Sequence, residues 1–433
     1  MTEQRLNQGN PSMTMPATAK HSSSERGSSE FQPGSVEELS GLIQTSARSG
    51  RAIRTGECSA IEQSQLSIVA GKPVDRVSLQ NLNSVVDYPA RDMTITVEAG
   101  MTVGQLREVL RSESQQLPLD THSNTVSIGS LVAGDHSGPR RTGYGTVRDY
   151  LIGMEAVDGR GRIFHAGGRV VKNVAGYDFC RLAAGSRGQI GVLTRLTFKL
   201  KPCPASAAIA VVGCPTLKIL EQVLNRLNLS ATRPTILDVL NPAAMKSVQT
   251  PDSSSMSPRG LNAFDIDGHA AFILAGFEGT QSVCRWQLDS LREETQPDGC
   301  SFTEIPEQTP DTVYGLSQRI TARQHSTPDS GWLFRLTVPP SSSVAAISLA
   351  DPGSVEVFGR ASHGSLYYRP ASLSRPPECS LEASLREQLS HVVTDSHGVM
   401  SDLNSAVGKT TTNHSTLIRS LLKAFDPEGV FVS

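Results

Sequence analysis

Between Thr125 and Pro202 the chain is dense in glycine and closes on Leu196-Thr197-Phe198-Lys199-Leu200-Lys201, an alternating strand stopped by Pro202. Small residues at Gly129, Ser130, Ala133, Gly134, Ser137 and Gly138 let a backbone come within contact distance of something flat or anionic. Backbone N–H groups in such turns form nests for phosphate oxygens, although ordinary tight turns have the same composition. A bundle of helices cannot absorb this tract, so a strand-and-turn scaffold with close backbone approaches is expected.

The flanking chain supplies helices and strands in alternation. Ser35 and Glu38 form a capping box ahead of Val36, Leu39, Leu42 and Ile43, a helical face that should run to about Ser49. Arg76-Val77-Ser78-Leu79 and Met93-Thr94-Ile95-Thr96-Val97-Glu98 alternate as half-buried strands do. Thr102 and Gln105 repeat the capping box, with Val103, Leu106, Val109 and Leu110 as the next helix face. Beyond a domain edge near 203, helices are expected at about 215–228, 281–296, 380–394 and 413–425. Strand-like runs at 270–275 and 332–336 and a flexible loop at about 249–259 lie between them. The expected domains are therefore 32–202 and 203–433, after a polar, Ser-rich, disordered tail at 1–31.

Composition removes several functions. Of the 433 residues, 40 are basic and 42 acidic, with no like-charged block, so an electrostatic nucleic-acid binder is excluded. Seven cysteines without a C-x-x-C pair encode neither a disulfide framework nor a zinc or iron–sulfur cage, and dispersed reduced thiols are expected. No signal-peptide core and no apolar run long enough to span a bilayer is present, which points to a cytoplasmic chain.

Several motifs then follow in order: S-I-G-S-L-V-A from Ser127, S-G-P-R-R from Ser137, Y-G-T-V-R-D from Tyr144, K-N-V-A-G-Y-D from Lys172, and G-S-R-G-Q-I-G-V-L-T from Gly185. Their order and spacing resemble the vanillyl-alcohol oxidase type (PCMH-type) FAD-binding flavoproteins, and within them the FAD-binding subunits of bacterial glycolate oxidases (glycolate dehydrogenases). The resemblance covers about 32–202. It implies an α+β fold in which a two-subdomain PCMH-type domain sandwiches an extended, non-covalent FAD, followed by a smaller α+β C-terminal domain. It also implies that Ile128, Gly129, Ser130, Ser137 and Gly138 face the pyrophosphate or flavin through backbone atoms. Gly188, Ile190, Gly191 and Val192 would form the second wall, completed by Tyr144, Gly145 and Val147.

Departures from the family pattern are equally specific. The first phosphate loop shrinks to Thr55-Gly56-Glu57-Cys58-Ser59, with a carboxylate where anion binding prefers none and no histidine for covalent attachment. Arg187 replaces the usual acidic residue of G-S-E-G, and the end, Asp426-Pro427-Glu428-Gly429, reads as an abbreviated C-terminal contribution. His136 reads as a polar turn residue or a flavin neighbour, and Lys172 and Asp178 as a cofactor contact or a structural charge pair. Arg140 and Arg141 are candidates for a positive site wall or solvated turn residues. His363-Gly364-Ser365 stands where catalytic relatives carry a His-containing substrate motif, but no catalytic base is assignable.

By resemblance, the chain is an FAD-binding subunit of a multi-subunit enzyme oxidising glycolate, a small 2-hydroxy acid, to glyoxylate. A larger FAD-linked subunit and an iron–sulfur subunit would be partners and could hold it peripherally at the inner membrane. A stand-alone FAD-dependent 2-hydroxyacid dehydrogenase and a non-catalytic assembly subunit with weak flavin binding stay open.

Overall fold

The computed structural model describes residues 29–55, 68–69, 72–168, 178–249, 264–305, 309–325, 332–371, 379–403 and 416–431. The tail at 1–28, Glu57 and most of the first phosphate loop, Lys172, and the 250–259 part of the expected flexible loop lie outside the described residues.

The amino-terminal half holds two small sheets. In the first, Glu30–Phe31, Lys72–Val77 and Ala52–Thr55 run parallel, with Ile68–Val69 antiparallel at the side. Glu30 and Phe31 thus belong to a strand, not to the tail in which the sequence reading placed them. Helix Val36–Arg48 buries Val36, Leu39 and Ile43 against this sheet, and Ser35 caps it by accepting from the Glu38 amide, while the Glu38 carboxylate accepts from the Gly34 amide, one residue short of a full capping box.

The second sheet is antiparallel in the order Val85–Asp87, Thr94–Glu98, Val192–Lys199, Leu151–Val157, Ile163–Gly167. Alternation sets its register: Ile95, Val97, Leu196 and Phe198 enter one core with Leu106, Leu110, Leu131 and Val132 from the covering helices.

A third sheet has eight antiparallel strands: Ser301–Glu304, Ser206–Cys214, Ala271–Gly279, Ile236–Leu240, Val355–Arg360, Ser365–Pro370, Phe334–Thr337 and Val399–Asp402. It is buried on both faces. Along Ser206–Cys214, Ala208, Ala210, Val212 and Cys214 meet helices Leu217–Leu229 and Gln281–Thr295, while Ala207, Ile209 and Val211 meet the core under helices Pro242–Gln249 and Pro310–Arg323. The α+β character matches expectation, and this sheet is the widest of the four, the smallest being the two-stranded pair Gln115–Gln116 and Lys201–Pro202.

The end of the chain returns to the first half. Phe425, closing helix Thr416–Phe425, packs on Phe164 and Phe179. Asp426 accepts hydrogen bonds from the Val430 and Phe431 amides, and the Ile53 amide donates to Val430 O at 2.6 Å. The Asp-Pro-Glu-Gly ending, read as abbreviated, therefore braces the first sheet, and by contact residues 416–431 belong with the first unit. Among the described residues no helix is long and apolar enough to cross a membrane, and the cysteines whose side chains are described, Cys180, Cys203, Cys214, Cys284 and Cys300, are free.

Candidate functional site

The two amino-terminal sheets meet across a cleft of about 630 Å³, within the range of cofactor pockets. Arg54 and Thr55 enter it from the carboxyl end of Ala52–Thr55, and Ser78, Leu79 and Gln80 from the carboxyl end of the parallel strand Lys72–Val77. Opposite stand Gly100, Thr102, Thr125, Ser127, Gly129, Ser130, Ala133 and Gly134, and a third side is Arg187, Gly188, Gly191, Val192 and Leu193. Its described lining carries two arginines and His136 but no carboxylate, so its field favours an anion.

Glycine is needed where backbone meets backbone. The Gly129 amide donates to Ala99 O at 2.7 Å, and a Cβ there would stand 3.1 Å from Ala99. Gly191 has φ +146°, and a Cβ would meet Val157 O at 2.8 Å.

The residues nominated from sequence divide. Gly129, Ser130, Gly188, Gly191 and Val192 line the cleft. Ile128, Val147 and Ile190 are core residues, buried with Leu131 and Leu193, because their side chains point away from the turns that carry them. Ser137 and Gly138 turn toward the second unit: Ser137 O accepts from Arg360 at 3.3 Å, and a Cβ on Gly138 would lie 2.2 Å from Thr321 Oγ1. Tyr144 packs by Arg140 outside the cleft lining, and Gly145, with φ +89°, makes the turn before Thr146. Asp178 accepts the Arg181 amide as a helix cap and pairs with the Arg181 side chain, which is its structural role.

Arg140 and Arg141 have different fates. Arg140 is buried, donating to Asp120 at 2.7 Å with Glu278 at 3.6 Å. It is neither a site wall nor a solvated turn residue but a clamp between the two halves. Around it, Arg107 and Arg111 pair with Asp311 at 3.1 and 2.6 Å, and the Gly143 amide donates to Thr235 O. Arg141 makes one long contact, 3.4 Å to Ser137 Oγ. Burial and the charges of Arg360 and Arg335 lower its proton affinity, with Asp135 opposing them.

Cationic side chains therefore collect where the cleft meets the second unit. His136, at the cleft edge, stacks on His325 with ring centroids 4.6 Å apart. Desolvation, then the neighbouring histidines and the Arg335 and Arg360 charges, lower the His325 proton affinity, although the residue keeps an exposed face. His363 is lowered by desolvation and by Arg141 and Arg360. The Nε atoms of Arg335 and Arg360 are buried without hydrogen-bond partners. Sequence reading missed His122, His325, Arg335 and Arg360 because no local motif marks them, and it missed Arg54, Ser78 and Gln80 because strand ends carry no glycine signature.

Comparison with known proteins accords with this architecture. Residues 29–167 match the FAD binding domain family. The chain is 30% identical over 193 residues to D-2-hydroxyglutarate dehydrogenase of Xanthomonas citri pv. viticola, covering 44% of this chain and 40% of that protein. It is 34% identical over 151 residues to Glycolate oxidase subunit GlcE of Escherichia coli, covering 34% and 43%. The chain thus spans less than half the length of these curated relatives. A solved alkyldihydroxyacetonephosphate synthase aligns over 93% of this chain and 76% of its own, with a TM-score of 0.66 and 16% identity, which shows a shared fold. Residues 29–167 are an FAD-binding domain of the PCMH type, and FAD is the cofactor that this domain takes.

Proposed function

We propose that the chain holds FAD non-covalently in the glycine-walled cleft and oxidises the CH–OH carbon of a small 2-hydroxy acid, with glycolate as the first candidate. The observation that carries this reading is the cationic seam that adjoins the cleft at His136, where Arg141 and Arg360 lie beside His363. When bound, FAD supplies a two-electron acceptor for hydride from the alcohol carbon. Arg141 and Arg360 hold the substrate carboxylate by charge-assisted hydrogen bonds. His363, exposed and with Nδ1 on Ser362 Oγ at 3.1 Å, has its proton affinity lowered by desolvation and by these arginines, and its other ring nitrogen takes the hydroxyl proton as a 2-oxo acid forms.

Gly129, Gly188 and Gly191 keep side chains out of the cofactor's path, and Arg54 and Arg187 offset the pyrophosphate charge. Without cysteine clusters of its own the chain passes electrons to a partner, in keeping with an FAD-binding subunit of a glycolate-oxidising complex. The partners would be a larger FAD-linked subunit and an iron–sulfur subunit. The cation-rich seam favours a chain that is itself catalytic over a mere assembly subunit.

Acid precipitation of the purified protein is expected to release yellow chromophore into the supernatant; colour retained on the pellet refutes non-covalent binding. Dye reduction with glycolate, D-lactate and D-2-hydroxyglutarate, with and without partner subunits, tests the rest. No flavin bleaching by any of the three acids, even in the intact complex, refutes the oxidation.

A further inference from the structure

Three histidines from distant parts of the chain converge at the seam. His122 precedes the turn into helix Ile128–Ala133, His136 follows that helix, and His325 follows helix Pro310–Arg323 of the second unit. One ring nitrogen of each lies within 4.8 Å of those of the other two. The ring centroids are 5.5 Å apart for His122 and His136, 4.9 Å for His122 and His325, and 4.6 Å for His136 and His325. Imidazoles bound to one tetrahedral zinc through Zn–N bonds of about 2 Å have their ring centres roughly 5 Å apart, so the spacing already suits a shared ion.

Two further observations point to a ligand. The Nδ1 atoms of His122 and His136 are buried without hydrogen-bond partners, a state that buried polar atoms seldom hold. Gly134 leaves His136 its place, since a Cβ there would fall 2.3 Å from His136 Nε2. We propose that His122, His136 and His325 bind one zinc-class divalent cation across the seam between the FAD-binding domain and the second unit.

Ligation requires neutral imidazoles, and burial lowers the proton affinity of all three, so no proton need be expelled near pH 7. A tetrahedral site needs the three nitrogens at roughly 3.3 Å spacing, closer than the 4.8 Å limit within which they lie here. Three neutral donors leave the ion its full charge, and Arg335 and Arg360 repel it. Its fourth position therefore suits an anion. One carboxylate oxygen of a 2-hydroxy acid can fill that position while the hydroxyl stays free for His363; this last step rests on the proposed function, whereas the ion site does not.

The test strips the flavin-loaded full-length protein with a chelator and titrates zinc against a chromophoric competitor. One zinc per chain is expected, and His122→Ala, His136→Ala and His325→Ala should each weaken it at least tenfold. His325→Cys, which keeps a zinc-compatible donor, should retain binding. Circular dichroism must match wild type in all of these variants, and FAD content must match in the His122 and His325 variants, which stand outside the cleft lining. Cobalt(II) should give the visible absorption of a tetrahedral ion, lost in His325→Ala. No stoichiometric zinc, or equal affinity in wild type and all three alanine variants, overturns the site. Glycolate should tighten zinc at least threefold; zinc that binds but ignores glycolate keeps the site and removes the hydroxy acid as its fourth ligand.

Discussion

The cleft and the seam adjoin at His136, yet they are built in opposite ways. The cleft is walled by backbone and short side chains: Gly129, Ser130, Gly188 and Gly191 present peptide groups, and the chain approaches itself within 2.7 Å at Gly129 and Ala99. The seam is walled by long charged and aromatic side chains, with Arg140 between Asp120 and Glu278, Arg107 over the Tyr314 ring at 3.4 Å, and Arg360 on Ser137 O. A backbone wall tolerates few substitutions but recognises any ligand of the right thickness. A side-chain wall is selective, and its members can be separated into those that hold the halves together and those that face a substrate.

The sharpest division is between neighbours Arg140 and Arg141. Arg140→Met leaves Asp120 and Glu278 buried without their cation, so unfolding in urea should show a loss of about 3–5 kcal/mol. An unfolding free energy within 1 kcal/mol of wild type would move Arg140 from clamp to site.

On the cleft side, Gly129→Val adds a branched side chain against Ala99 and into the cofactor's path. FAD affinity should fall by about a hundredfold or more, roughly 2.7 kcal/mol, by fluorescence titration. Undiminished affinity would remove the Ser127–Gly134 turn from the cofactor wall and erase the contrast.

Arg141→Gln should raise the KM for a 2-hydroxy acid about tenfold, a loss near 1.4 kcal/mol of binding, with kcat and FAD affinity little changed. A fall in stability like that of Arg140→Met would make the two arginines one structural unit.

The smallest effect concerns pH. Burial, with the His122 charge adding to it, lowers the His136 pKa to about 4, and the His325 pKa stands at about 3. Because the unfolded chain titrates near 6.5, it binds more protons than the folded protein below that pH. Stability should be complete above about pH 6.5 and decline gradually toward pH 4. His136→Gln should flatten part of that slope; an unchanged slope would mean that the histidine cluster is not held neutral by the seam.

How much of this was legible depends on what kind of signal each region leaves. The Ser35 cap, the capping box at Thr102, the Val36–Arg48 face and the alternation through Thr94–Glu98 act between residues within a few positions of each other, so the chain states them directly. Ser206–Cys214 was not read as a strand because it is apolar on both faces, which erases its period of two. The motifs mark the turns that carry Ile128, Val147 and Ile190, while the burial of their side chains follows from packing that no local pattern states.

Local covalent geometry thus determined, from sequence alone, the caps and the glycine turns, since a turn that excludes Cβ can be met only by the residue that lacks one, while the FAD-binding domain was read from the resemblance of its motif order to a known family. Only the tertiary structure decided that Arg140 is a clamp and Arg141 is not, that the last residues brace the first sheet, and that His122, His136 and His325 meet. Those outcomes depend on loops closing over long stretches of chain, where the energies that choose a partner come from burial and charge rather than from neighbouring residues.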